Sequence, residues 1–268
     1  MTMNTIKYLT RYPLLSLAKK PKDSRTNYVG VEIEFYTTLS REKLGWLLIE
    51  SNIDHRIEIK GDMSIKPEIG FQSYELAVLA PEKQIFLVIK KICKILTNVD
   101  SRVNSSCGLH IHLDMRFRNP TISYYNLVNS QHLLYAINPK SRSISDFCKK
   151  NASDKFIKSN TSRYLGINPS AYNEHGTLEV RIHSGTLNFH KINNWIRILL
   201  SIASKDKKMN KFKTLEQFKK LYNVKDRLLN YMAERIITFK GDNKDYPNIT
   251  EMDLVKFSKY DDSDDYLW

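Results

Sequence analysis

The sequence predicts an α+β protein built on one antiparallel sheet with its helices gathered on one face. Two observations carry this. The strand-like segments alternate apolar with polar residues instead of being apolar throughout, as a strand with one dry and one polar face does. The order of segments, β, α, β, β, α, β, α, β, β, α, lacks the regular βαβ rhythm of a doubly wound sheet. A chain of 268 residues with 41% hydrophobic content is long enough to close a single large core.

In chain order, the first strand covers residues 28–36. Ser40 caps a helix over 41–51 with Leu44, Leu47 and Leu48 on one side. Alternating segments follow at 53–60 and 71–79, joined by a turn-rich stretch holding Gly61, Asp62, Ser64, Pro67 and Gly70. Pro81 opens a helix to about residue 97, with Ile85, Val88, Ile89, Ile92 and Ile95 at helical spacing. A strand is expected over 108–115 and a helix over 121–136, in which His132 reads as a surface or packing residue. Residues 146–159 form a basic stretch, irregular or helical, suited to a mobile lid. Strands at 163–168 and 176–184 are joined by a loop with Pro169, Asn173, His175 and Gly176, and helices follow at 192–204, 215–222 and 224–238.

Residues 1–27 read as an arm: the apolar patch Pro13-Leu14-Leu15 is too short for a signal-peptide core, and no small-residue cleavage site follows it. Residues 241–268 read as an acidic tail ending in Asp261, Asp262, Asp264 and Asp265. No apolar run approaches the roughly 20 residues needed to span a bilayer, so a soluble protein with no membrane partner is expected. Cys93, Cys107 and Cys148 are odd in number, far apart and outside any CxxC pattern, which fits a reducing cytoplasm, with Cys107 a small packing residue. The net charge of +13 invites an anionic partner. The lysines are scattered, however, apart from Lys205, Lys207, Lys208, Lys211 and Lys213, and no nucleic-acid-binding signature accompanies them. A basic solvated surface is the reading, and a nucleic-acid partner is not expected.

Three segments stand apart: Val31-Glu32-Ile33-Glu34-Phe35, Leu109-His110-Ile111-His112-Leu113 and Leu178-Glu179-Val180-Arg181-Ile182. As strands, each turns its apolar residues one way and its carboxylates, imidazoles or guanidinium the other. A merely solvated face in this chain would carry lysine, as Arg56-Ile57-Glu58-Ile59-Lys60 does, and these three carry none. Carboxylate oxygens beside imidazole nitrogens suit Mg²⁺ or Mn²⁺ with positions left for water or phosphate. Arg181, two residues from Glu179, adds a planar donor for phosphate oxygens. His183 continues that face and is expected at its rim. Neither GxGxxG nor GxxxxGK[ST] occurs, so a nucleotide would have to be held through metal, arginine and sheet.

The ordered set Gly30-Val31-Glu32-Ile33-Glu34, Asp62-Met63-Ser64, Glu75, Cys107-Gly108-Leu109-His110-Ile111-His112, Arg163-Tyr164-Leu165-Gly166-Ile167-Asn168, Gly176-Thr177-Leu178-Glu179-Val180-Arg181 and Ser184-Gly185-Thr186-Leu187 resembles the amidoligase family. That family belongs to the carboxylate-amine ligase superfamily of glutamine synthetase and glutamate-cysteine ligase. The resemblance covers roughly residues 28–188 and implies a catalytic domain over 28–240. It implies a sheet bent into a half-barrel, with helices on its convex face and metals on its concave face. It further implies ATP-dependent joining of a carboxylate, small or peptidic, to an amine through an acyl phosphate. Carried over by motif, Glu32, Glu34, Glu75, His110 and Glu179 would be metal ligands, with His110 and Glu179 on the same ion. Arg181 would act on the phosphoryl group, with Glu34 and His112 as further catalytic groups, and His112 close to phosphate or substrate. Arg163, on a neighbouring strand, would either anchor a phosphate of ATP or the substrate, or pair with a structural carboxylate. A metal-dependent hydrolase or nuclease using the same cluster, and a non-catalytic protein on a ligase scaffold, are the competing readings.

Overall fold

The computed structural model describes residues 26–53, 56–156 and 162–239. The expected acidic tail lies outside them, as do the expected arm, except for Thr26 and Asn27, and the end of the basic stretch at 157–159. The elements are β1 (Tyr28–Thr37), α1 (Arg41–Glu50), β2 (Arg56–Gly61), β3 (Gln72–Pro81), α2 (Glu82–Asn98), β4 (Gly108–Asp114), α3 (Pro120–Asn129), α4 (Gln131–Ala136), α5 (Lys140–Ser143), β5 (Ile167–Asn168), α6 (Ala171–His175), β6 (Thr177–Ser184), α7 (Phe189–Ala203), α8 (Leu215–Tyr222) and α9 (Asp226–Phe239).

All six strands join one antiparallel sheet in the order β2-β3-β1-β4-β6-β5. The expected α+β class therefore stands. The two central strands are β1 and β4, which carry the paired glutamates and paired histidines. Strand alternation puts Val31, Ile33, Leu76, Val78, Leu109, Ile111, Leu178 and Val180 on one face, and all are fully buried in one apolar core with residues of the helices. Helix α2 contributes Ile85, Ile89, Ile92 and Leu96 at helical spacing, and α7 contributes Ile192, Trp195, Ile196 and Leu199. Each such side chain, withdrawn from water, contributes about 1.5–3 kcal/mol, which anchors the helices on this face and leaves the other to polar groups.

Helix starts follow local chemistry. Ser40, Asn119, Asn188 and Thr214 each accept a backbone N–H of the following turn, and α3 has Pro120 at its first position. The expected helix 121–136 is in fact two, α3 and α4, with Ser130 between them. The buried Ser130 hydroxyl lies 3.3 Å from the Tyr222 hydroxyl, a tertiary partner that helical periodicity does not report. The expected loop after Pro169 holds a short helix, α6, stopped by Gly176 in the left-handed region (φ 71°), where glycine carries no Cβ penalty.

Two further expectations need correction. The strand at 163–168 shrinks to Ile167–Asn168, and Arg163 sits in a turn, exposed, with its guanidinium 5.4 Å from the Tyr164 ring centroid. The second concerns His183. Between β4 and β6 the register shifts: Ile111 faces Val180 but Leu109 faces His183, so β6 carries an extra residue opposite His110. Such a bulge reverses the alternation beyond it. His183 thereby shares the apolar face with Leu109 and is buried against Trp195 of α7, with ring centroids 5.1 Å apart. Burial depresses its pKa to about 3, against the hydrogen bond to the Ser184 carbonyl. It belongs to the core and not to the rim of the polar face.

Candidate metal centre

Register assembles the polar face. Glu32 is the Cα partner of His110 across β1 and β4, Glu34 of Glu75 across β1 and β3, and His112 of Glu179 across β4 and β6. His110 Nδ1 lies 2.9 Å from Glu32 Oε2 and 3.7 Å from Glu179 Oε1, while its Nε2 lies 3.3 Å from Glu34 Oε1. His112 Nε2 lies 3.4 Å from Glu32 Oε1 and 3.9 Å from Glu179 Oε1. Glu32, Glu34, His110, His112 and Glu179 are all buried, and Glu75 is partly so. Arg181 is ion-paired to Glu179 through Nη1 and donates Nε–H to the Phe147 carbonyl at 3.2 Å.

The structure thus brings together every expected site residue except Arg163, which takes no part in these ion pairs. It also brings in groups that were not expected. Lys60 of β2, set aside above as part of a solvated face, lies 3.3 Å from the buried Glu58 and 3.9 Å from Glu75. Asp62 falls within 4.8 Å, ligand atom to ligand atom, of Glu34 and Glu75. Asn168 donates to Glu179 Oε2 at 2.7 Å, and the Thr177 hydroxyl lies 3.0 Å from His112 Nδ1. Asp62, Asn168 and Thr177 stood inside quoted motifs and could have been singled out as polar residues there. Nothing local to Lys60 marks it.

Within the same 4.8 Å limit, the ligand atoms fall into three groups: Glu32 with Glu75 and His110, Glu32 with His112 and Glu179, and Glu34 with Asp62 and Glu75. Both histidines reach Glu179: His110 Nδ1 at 3.7 Å and His112 Nε2, whose strand position is in register with Glu179, at 3.9 Å. The donor set fits hard divalent cations. A single buried atom makes the case: His112 Nε2 has no hydrogen-bond partner, yet it is aimed between two carboxylates by the bond its Nδ1 makes with Thr177. The centre is tightly closed around these ligands. The Gly108 N–H donates to Glu34 Oε2 at 2.5 Å, and a Cβ at Gly108 would stand 2.8 Å from His110 Nε2, so the strand must begin with glycine. His175 of α6 packs edge-on to His112, ring centroids 5.8 Å apart.

Electrostatics divide the acids. Burial raises the Glu32 pKa, but the His112 charge and the hydrogen bond with His110 outweigh it and hold this carboxyl well below the usual carboxylate range. Burial likewise opposes ionisation of Glu179, and His112 and Arg181 together reverse it to a lowered value. Glu75 goes the other way: burial and the Glu32 charge push it up to about 7, with His110 and Lys60 only partly offsetting them. Burial raises the Cys107 thiol to about 11, and a Cβ on Gly185 would run into its side chain, so the residue is closely packed.

The Glu75 value makes a testable statement. Below about pH 7 the metal-free protein holds a proton on Glu75, and a divalent ion bound there must expel it. Affinity for Mn²⁺ should therefore fall as pH drops through about 7, by roughly tenfold per pH unit when one proton is exchanged. Calorimetry in buffers of different ionisation enthalpy should show proton release at about pH 6 that fades by about pH 8, and Glu75→Gln should abolish it. Release identical in wild type and Glu75→Gln would remove Glu75 from the ligand set. In the metal-free protein the sign for folding is opposite: a raised carboxyl contributes stability at low pH that is lost as pH rises through about 7.

No protein-family model matches the chain, and no curated protein matches it. No helix among the described residues is long and apolar enough to cross a membrane.

Proposed function

We propose that this chain is an ATP-dependent carboxylate-amine ligase working with Mg²⁺ or Mn²⁺. The observation that carries the reading is the meeting on one sheet face of two adjacent cation groups sharing Glu32, beside an arginine tethered between Glu179 and the Phe147 carbonyl. Half-barrel curvature of the sheet, with this face concave, and a catalytic unit over 28–240 flanked by an arm and a tail, belong to the same proposal.

Divalent ions held by Glu32, Glu75 and His110, and by Glu32, His112 and Glu179, would neutralise phosphate oxygens of the nucleotide. The chain's own groups account for the rest. As a substrate carboxylate oxygen bonds to the γ-phosphorus and the bridging oxygen leaves with ADP, Arg181 bears on the equatorial oxygens where charge is shared. When the amine nitrogen then attacks the acyl carbon and phosphate departs, Glu34 is the carboxylate assigned to receive the amine proton. Glu32, Glu34, His110, His112 and Glu179 are buried, which would limit the access of water to an acyl phosphate held among them.

The test is turnover of ATP with Mn²⁺, pooled amino acids as carboxylates and hydroxylamine as the amine. The expected result is phosphate and hydroxamate formation, each requiring both ATP and a carboxylate. Cleavage of a phosphodiester by the metal-loaded protein without nucleotide would replace the ligase reading with a hydrolase. Nucleotide binding without turnover of any of these substrates would make the chain a binding protein.

A further inference from the structure

Beside Arg181 lies a feature that the chemistry above does not use. Phe147 and Tyr164 are 53% and 38% exposed, although both are large aromatic side chains. Their rings meet edge to face, 5.6 Å between centroids at 82°, and form an open corner. The backbone beneath is pinned. Lys149 N–H donates to the Tyr164 carbonyl at 2.7 Å, Gly166 N–H to the Lys149 carbonyl at 2.7 Å, and Arg181 N–H to the Gly166 carbonyl at 2.8 Å. The Phe147 carbonyl also receives the Arg181 guanidinium. The corner is thus fixed to the strand that carries Glu179 and Arg181. A second guanidinium, that of Arg163, stands over the Tyr164 ring at 5.4 Å.

An exposed aromatic corner flanked by two arginines, next to a cluster that collects cations, is complementary to a flat ring carrying an anionic chain. The proposed cations and Arg181 account for the phosphates of a nucleotide and leave the base in need of a seat of its own. We infer that the purine base of the bound nucleoside triphosphate stacks on the corner formed by Phe147 and Tyr164, with Arg163 at its outer edge; this rests on the ligase reading. The proposal also restores a role for Arg163, as a partner at the base end of the nucleotide and not at the transferring phosphate.

The experiment compares a β,γ-imido ATP analogue with inorganic tripolyphosphate, each titrated calorimetrically into the full chain with saturating Mn²⁺. Base–aromatic stacking supports an expected loss of roughly 5- to 150-fold in affinity for the analogue in Phe147→Ala and in Tyr164→Ala. Tripolyphosphate affinity should stay unchanged, and Phe147→Trp should retain analogue binding. Both side chains being exposed, unfolding midpoints should match the wild type, which excludes a folding defect. Equal weakening of both ligands, or no weakening of either, overturns the base seat and leaves the ligase reading standing. Failure of the wild-type chain to bind either ligand in Mn²⁺ overturns the ligase reading and the base seat with it.

Discussion

Arg181→Lys is expected to lower the turnover of the proposed ligase by on the order of 10²- to 10³-fold, the usual cost of removing one preorganised donor, while changing nucleotide affinity far less. Lysine keeps a positive charge beside Glu179, so the ion pair that Arg181 makes there survives in kind. It cannot keep the planar fork, nor the Nε–H bond to the Phe147 carbonyl that fixes the fork's orientation. What is lost is geometry at the transferring phosphoryl group, and geometry counts most where charge is shared among oxygens in the transition state. Steady-state kinetics with ATP varied would show the loss in kcat, with KM nearly unchanged. Normal turnover in the lysine variant would reduce Arg181 to the counterion of Glu179.

The second large effect is expected at Glu179. Replacing it with alanine should destabilise the metal-free protein by about 3–5 kcal/mol, the range for breaking a buried pair by removing one partner. The Arg181 side chain is only 13% exposed and would lose its carboxylate, and the Asn168 amide would lose its acceptor. Loss of repulsion with Glu32 works in the opposite direction. The lowered pKa of Glu179 decides the sign, because it means that the fold favours the ionised form over the neutral one. That contribution is present above the ordinary carboxylate range and is lost as pH falls through the lowered value. Urea unfolding in the presence of a chelator measures the effect. Mn²⁺ titration should show that the same variant weakens the group of Glu32, His112 and Glu179 before it touches that of Glu34, Asp62 and Glu75. A variant as stable as the wild type would mean that Arg181 finds another partner.

Much of the site was legible because it depends on alternation within single strands. Glu32 with Glu34, His110 with His112, and Glu179 with Arg181 share a face for the local reason that neighbours two apart in a strand point the same way. That reasoning failed at His183, where one extra residue in β6 reverses the phase, and at Arg163, where a strand-like stretch ends two residues long. Apolar periodicity likewise set the positions of α2 and α7, whose buried faces are Ile- and Leu-rich and need nothing distant to define them.

By itself, then, the sequence determined the α+β class, most strands and the long helices near their observed bounds, and most of the side chains able to collect cations. Only the tertiary structure decided which of them meet. The meeting of both His110 and His112 with Glu179, the approach of Lys60 to Glu75, the orientation of His112 by Thr177 and the core burial of His183 all depend on register between strands. Glu32 and His110 touch across 78 residues of chain, and His112 and Thr177 across 65. The physical reason is that a residue's face is set by its own backbone, whereas its partner is set by how the whole sheet packs its apolar side against the helices. A single bulge is enough to exchange one partner for another.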